Sequence, residues 1–293
     1  MDVLGLVGLT PLMALTSGRP EIAIALIDGP VNIDHPDFAP GVFREVASST
    51  IACTRKTSAA CLHGTLVAGI LSACRGSAAP AICPDCTVLV RPIFPEASEP
   101  ETSAPATTPE ELAAAIIDVI EAGANIINLS VGLLHPTTVG IAHLHAALDY
   151  ATRRNVICVA AAGNQGEIGG SSLTSHPWVI PVAACDANGR PFAGSNFGRS
   201  IGRGGVLAPG TNILSLGPSG GRVTFGGTSA AAPFVTGALA LIWSLIPTAH
   251  AADLRFALTN PTLARRRSIV PPLLDAWGAY QRLAARSNYR FAS

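Results

Sequence analysis

The chain has 293 residues, 48% of them apolar and 13% charged, a composition that can bury a sizeable core and not one that stays disordered. Lys+Arg and Asp+Glu balance at 19 each, and with no basic stripe there is no reason to expect a nucleic-acid or anionic-membrane partner. Met1-Asp2-Val3-Leu4-Gly5 lacks the basic region of a secretory signal, Gly8 and Pro11 interrupt the apolar run, and no stretch reaches the ~18 unbroken apolar residues of a membrane helix. A cytoplasmic protein is expected, with a mature form of an exported one as the alternative.

Along the chain, strands and helices alternate. Glu21 to Asp28 is a short apolar run ending in an acid and a glycine, which predicts a buried strand with Asp28 at its C-terminal tip. His63 to Cys74 predicts a buried helix, and Thr87 to Ile93 another strand. Pro95 to Thr108, rich in Pro, Ser, Thr, Ala and Glu, predicts a surface loop. Thr108-Pro109-Glu110-Glu111 then opens a helix, with Thr as N-cap, Pro at the first position and Glu at the third. That helix runs to about Ala122 and stops at Gly123.

Asn125 to Ser130, Val156 to Ala162 and Trp178 to Ala184 predict further buried strands, and Thr138 to Arg154 a helix. Gly210 to Gly227 predicts turns and a hairpin, and Ser229 to Leu245 a long apolar helix. This alternation implies an α/β fold with a parallel central sheet flanked by helices, whose functional groups gather at the C-terminal edge of the strands. No repeat or boundary divides the chain, so one domain is expected over 1–293, with 1–20 an extension packed on it.

Three segments carry chemistry: Asp28 at a strand tip, His63 in His63-Gly64-Thr65-Leu66-Val67-Ala68-Gly69, and Ser229 in Gly226-Gly227-Thr228-Ser229-Ala230. Serine is a weak nucleophile that needs a neighbouring base, histidine is the natural base near neutral pH, and a buried aspartate fixes the imidazole tautomer. A helix N-terminus at Ser229 aims backbone N–H groups at developing negative charge. Asn164, after Gly163 at a strand end, adds a side-chain donor for an oxyanion. Singly these residues have bland readings as caps; together they point to acyl transfer.

Seven cysteines are many for a cytoplasmic enzyme. Cys83-Pro84-Asp85-Cys86 has CxxC spacing, but a second CxxC or HxxxH is absent, so a structural disulfide or free thiols are expected rather than zinc. Cys53 and Cys61 are close enough in sequence to pair, and Cys158 and Cys185 read as core residues. His35, His135, His143, His145, His176 and His250 carry no pattern of metal ligands. Asp34 and Asp37 read as surface acids, with a calcium site the lesser reading, and Arg265-Arg266-Arg267 as a solvated loop. No cofactor is expected.

In their order Asp, His, Ser, these motifs resemble those of the subtilisin-like (S8) peptidases: an acid after an apolar strand, HGTxVAG, AAGN and GTSxAxP. The resemblance runs from about Ile22 to Tyr280 and takes in Leu207-Ala208-Pro209-Gly210 and Leu274-Asp275-Ala276-Trp277-Gly278. It implies peptide-bond hydrolysis through an acyl-enzyme, with Ser130, Val131 and Gly132 as the strand beside which an extended peptide substrate lies. Most of the family has Asp-Ser/Thr-Gly at the acid. Here Asp28-Gly29-Pro30-Val31, with His35-Pro36, resembles the proteases of cyanobactin and related ribosomal-peptide pathways, which implies a precursor peptide as substrate.

The related macrocyclases carry a helical insertion between acid and histidine, whereas Asp28 and His63 are 63 − 28 = 35 positions apart, which favours a cleaving protease over a macrocyclase. An inactive peptide-binding pseudo-protease is the other alternative, and it needs neither the triad nor Asn164. Leu66 stands where the family has His or Arg, and Leu173 near a frequent proline. The loop from Pro95 to Thr108, with Glu96, Glu99 and Glu101, is expected on the substrate rim.

Overall fold

A computed structural model describes residues 2–46, 52–96, 106–133, 139–261 and 267–290. Two short helices, α1 (Val3–Leu6) and α2 (Leu9–Leu15), precede the first strand, β1 (Ala23–Asp28). An edge strand β2 (Phe43–Glu45) and α3 (Ala59–Ser72) lead to β3 (Thr87–Pro92). Then come β4 (Ala106–Thr107), α4 (Pro109–Glu121), β5 (Ile126–Leu129), β6 (Gly132–Leu133) and α5 (Ile141–Arg153). The second half carries β7 (Ile157–Ala161), β8 (Val179–Cys185), α6 (Arg199–Gly204), β9 (Val206–Pro209) and the hairpin β10 (Ile213–Leu216) and β11 (Arg222–Phe225). It closes with α7 (Thr228–Leu245), α8 (Ala251–Thr259) and α9 (Ala276–Arg290).

Seven strands form one parallel sheet in the order β2-β3-β1-β5-β7-β8-β9. Alternate residues of each strand point to opposite faces. Ile24, Ile126, Ile157 and Val159 therefore pack with α7 and the end of α3, while Ala25, Ile127, Cys158 and Ala160 pack with α4 and α5. Both faces being covered explains why the strands read as continuous apolar runs. From β1 the chain goes first to β2 and β3 on one side and then, by way of α4, to β5 on the other. The order reverses at β1, so a crevice opens at its carboxyl end, where Asp28 sits.

The helix starts follow local chemistry. Thr108 and Glu111 form a full capping box with Pro109 at the first turn, and Gly123 takes φ +90° just past the helix end. α3 begins four residues before the predicted start, because Ser58 accepts the Cys61 N–H as N-cap and His63 lies inside the first turns. The predicted loop from Pro95 to Thr108 contains β4, which pairs in parallel with β6; Glu99 and Glu101 lie outside the described residues, as do His135, Arg265 and Arg266.

α7 is 18 residues long and apolar enough to cross a membrane, yet 89% of it is buried beneath the sheet, where it is the core helix. The N-terminal residues set apart as an extension belong to that same core: Val7, Leu9 and Leu12 are fully buried in it. Ala276 donates its N–H to Val7 O at 3.0 Å, and the Arg75 guanidinium donates to the carbonyls of Met13 and Thr16.

Candidate active site

Asp28 is the last residue of β1 and fully buried. Its Oδ1 lies 2.6 Å from His63 Nδ1 and accepts the Gly29 N–H at 2.6 Å. Its Oδ2 is buried without a hydrogen-bond partner among the described residues, so both bonds fall on one oxygen. A carboxylate on Nδ1 makes that nitrogen the N–H and leaves Nε2 as the basic lone pair. Burial by itself lowers the His63 pKa, but the charge and hydrogen bond of Asp28 outweigh it, and the net shift is upward. The imidazole keeps an open edge, its side chain 19% exposed, and meets the Phe225 ring edge-on at 6.5 Å.

α3 comes close enough to place His63 because two glycines face each other. A Cβ on Gly29 would lie 2.0 Å from Ala60 O, and one on Gly64 would lie 2.5 Å from the carbonyl oxygens of Gly29 and Pro30. This gives a physical reason for the departure from Asp-Ser/Thr-Gly: no side chain fits between β1 and the first turns of α3 at residue 29.

The first turn of α3 is fastened twice more. Cys53 and Cys61 form a disulfide. The Glu96 carboxylate accepts the N–H groups of Thr54 at 2.9 Å and Arg55 at 3.0 Å, and the hydroxyls of Thr54 and Ser58. Glu96, expected on the substrate rim, is thus engaged internally.

Ser229 is the second residue of α7, so its N–H has no intrahelical acceptor. Pro233, four residues on, has no N–H to give the Ser229 carbonyl, and that carbonyl accepts the Ser130 hydroxyl at 3.2 Å instead. Ser130 is in turn bonded by Asn128 Nδ2 at 2.9 Å, and Thr236 of α7 donates to Asn128 Oδ1 at 2.9 Å. This buried, mutually satisfied chain ties the nucleophile's helix to β5 and to the segment Ser130-Val131-Gly132. Ser130 and Val131 are buried, and Gly132 is exposed where it pairs with Ala106. The Ser229 hydroxyl itself donates to Ser130 O at 3.4 Å, not to His63.

Asn164 faces the start of α7. Its Oδ1 accepts the N–H of Thr228 at 2.8 Å and the Thr228 hydroxyl at 3.1 Å, and that hydroxyl accepts the Gly163 N–H at 3.1 Å. With its carbonyl end so held, Asn164 has Nδ2 left as a donor beside Gly227, which precedes α7. Thr228 was not singled out from sequence, although it adjoins the serine in the Gly-Thr-Ser motif. Next to Asn164 opens a cavity of about 470 Å³ walled by Phe192, Phe225, Thr211 and Asn212, large enough for a side chain of a bound peptide. Its two phenylalanines had no sequence signal.

Among the described residues, Asp34 and Asp37 join no group of three potential metal ligands. Cys83, Cys86, Cys158 and Cys185 are buried free thiols, and burial pushes Cys158 and Cys185 up to about 12, away from reactivity. His176 sits 3.3 Å from Asp149 on α5, and His143 is exposed.

Among known proteins, the subtilase family (Peptidase S8) matches residues 19–277. Subtilisin NAT of Bacillus subtilis subsp. natto is 31% identical over 248 residues, 82% of this chain and 60% of its own, so the chain spans about 60% of the length of that relative. The solved structure of the prenylagaramide maturation protease PagA is 32% identical with a TM-score of 0.80, covering 94% of this chain and 98% of that one. The PatG macrocyclase in complex with peptide is 25% identical with a TM-score of 0.82, covering 96% and 97%.

Proposed function

This chain belongs to the subtilase family, and from that premise we propose that it is a serine endopeptidase acting through Asp28, His63 and Ser229 on a ribosomally made precursor peptide. The observation that carries the reading is the Asp28–His63 pair at 2.6 Å, whose imidazole meets Phe225 edge-on, while Phe225 walls one cavity with Asn164 and with Gly227 at the start of the Ser229 helix. A core built only for stability has no use for a half-open histidine backed by a buried carboxylate.

The reaction follows from the groups present. The Ser229 hydroxyl turns from Ser130 O to His63 Nε2, giving up a 3.4 Å contact that is long for an O–H···O bond. Such bonds commonly tighten only once substrate is bound. His63 takes the proton as Oγ adds to the scissile carbonyl. Asn164 Nδ2 and the Ser229 N–H receive the negative oxygen, and the positive end of α7 adds to their effect. His63 then gives the proton to the leaving amine, and water repeats the sequence on the acyl-enzyme. The peptide lies extended beside Ser130-Val131-Gly132, and the cavity between Phe192 and Phe225 takes an apolar side chain. The precursor-peptide assignment is supported by Asp28-Gly29-Pro30-Val31 and by the similarity to PagA, a maturation protease.

A second reading, capture of the acyl-enzyme by an amine, is supported by the similarity to PatG. The 35 positions from Asp28 to His63 leave no room for a lid-sized insertion to exclude water. Product mass separates the two, since a cyclic product is lighter than the hydrolysed one by one water. The serine reading itself is tested by intact-mass analysis after treatment with a fluorophosphonate. One adduct on the wild type and none on Ser229→Ala supports it, and a well-folded wild type that takes up no adduct refutes it.

A further inference from the structure

The loop that carries Asn164 has no regular structure of its own, and one residue outside it makes bonds on both sides of the asparagine. Asn196 N donates to Gly163 O at 2.9 Å, immediately before Asn164. Its Oδ1 accepts the N–H groups of Gln165 at 3.1 Å and Glu167 at 3.0 Å, and its Nδ2 donates to Gln165 Oε1 at 2.7 Å. Gly163 takes φ +105°, and a Cβ there would lie 2.4 Å from Asn196 Nδ2, so the loop is moulded on this side chain.

Asn196 is itself rooted in the sheet. Its neighbour Ser195 is fully buried, accepts the Ala184 N–H of β8 at 3.2 Å and donates to Asn196 O at 3.5 Å. Phe192 N donates to Ala184 O at 2.8 Å, and the two segments continue side by side through Gly166 N to Gly194 O and Phe197 N to Glu167 O. Thr228 fixes the side chain of Asn164 and the Gly163 N–H from the α7 side; this ladder holds the backbone from Gly163 to Glu167 from the other side.

We propose that Asn196 is a positioning residue for the reaction: it holds the Gly163–Glu167 turn on β8 so that Asn164 meets the oxyanion without reorganisation. A donor aimed in advance is what makes an oxyanion site effective, and small misplacement forfeits much of it. The proposal rests on the peptidase reading above.

The test is the rate at which a fluorophosphonate labels Ser229. In that reaction the Oγ–P bond forms, fluoride leaves, and the serine proton goes to His63, while the phosphonyl oxygen occupies the place of the oxyanion. Rates are compared for the wild type, Asn196→Ala, Asn196→Asp, Asn164→Ala and the double variant Asn164→Ala/Asn196→Ala, with melting temperatures alongside. Asn196→Ala is expected to slow labelling about tenfold. Asn196→Asp, which keeps both backbone acceptor bonds, is expected to recover most of that rate. In the Asn164→Ala background the Asn196 change is expected to cost less than about twofold, because its route to the reaction is already gone. Equal slowing in both backgrounds, or an unchanged rate in Asn196→Ala, overturns the proposal. Should Asn196→Ala fail to fold, a rate in Asn196→Asp no better than in Asn164→Ala overturns it as well. A wild type that never labels refutes the peptidase reading instead, so the two failures are distinct.

Discussion

Asp28 Oδ1 holds His63 Nδ1 at 2.6 Å while the first turns of α3 lie against the Gly29-Pro30 backbone. Strand tip, glycine and helix are one unit, so the aspartate and the histidine cannot move independently.

His63 must be neutral to act as base, and its pKa is raised, since the charge and hydrogen bond of Asp28 outweigh the lowering effect of burial. kcat/KM is therefore expected to rise with pH through a midpoint above the ordinary histidine value of about 6.5. Asp28→Asn removes the opposing charge, so burial prevails and the midpoint falls below that value, while the altered tautomer cuts kcat by about 10⁴-fold, the loss a triad aspartate shows elsewhere. For stability the sign is that of a raised histidine: the Asp28–His63 pair contributes fully below the unfolded value and loses that contribution as pH rises through the folded one. Catalysis by neutral His63 is therefore expected in the range where part of this stabilisation has gone. pH–rate profiles and melts of both proteins check the two signs together.

Gly29→Ala is expected to damage activity and folding together. The added Cβ meets the backbone carbonyl of Ala60 at 2.0 Å, and backbone inside a buried helix does not yield cheaply. Overpacking of this kind costs about 1–3 kcal/mol, and any relief moves His63 away from Asp28. An alanine at Gly41, which has nothing within 4 Å of its Cβ, is the control for space, although its φ of +79° adds strain of its own. Denaturant melts and fluorophosphonate labelling of Gly29→Ala that both match the wild type would show that this close approach is not required.

Asn164→Ala removes a side-chain donor from the oxyanion site, and the expected loss is about 10²–10³ in kcat with little change in KM, a figure taken from subtilisin's own oxyanion asparagine. Thr228 acts through that side chain, with bonds of 2.8 and 3.1 Å to Asn164 Oδ1. Thr228→Val keeps the backbone bond and loses the hydroxyl, so it is expected to cost about tenfold in kcat, and almost nothing once Asn164 is alanine. Steady-state kinetics on the two single variants and the double variant measure that coupling.

These relationships differ in how far the sequence discloses them. The strand tip at Asp28, the strand end before Asn164 and the helix start at Ser229 were legible because composition changes abruptly at each, whereas His63, expected to open a helix, lies inside α3. The sheet was legible for the same reason, its strands being apolar on both faces. Thr228 adjoins the serine and needed only the question of what orients Asn164. Asn196, Phe192 and Phe225 were not legible, because their roles depend on which loops the closed fold brings side by side, 28 to 61 positions from Asn164. The start of α3 was misplaced because Ser58, a good N-cap, precedes small residues that carry no apolar periodicity. β4 was hidden in a stretch whose Pro and Ser content reads as loop, its two residues becoming a strand only by pairing with Gly132 and Leu133.

The turn before His63 offers a last prediction, because its two fastenings respond to different conditions. The Cys53–Cys61 disulfide closes a loop with a sequence separation of 8, and chain-entropy arguments give such a cross-link about 2–3 kcal/mol. Reduction, or Cys53→Ser with Cys61→Ser, is expected to lower the melting temperature by several degrees at any pH below that of thiol ionisation. Glu96 behaves differently. Partial burial raises its pKa, but the bonds from Thr54, Arg55 and Ser58 outweigh this and the net direction is downward. Its contribution is therefore present above the ordinary glutamate value of about 4.3 and is lost as pH falls through the lower folded value. The melting-temperature gap between wild type and Glu96→Gln is expected to be widest near neutrality and to close in acid, while the gap between oxidised and reduced protein persists there. If both gaps closed together in acid, the carboxylate and the disulfide would not be separate fastenings, and the whole turn would be released by one titration.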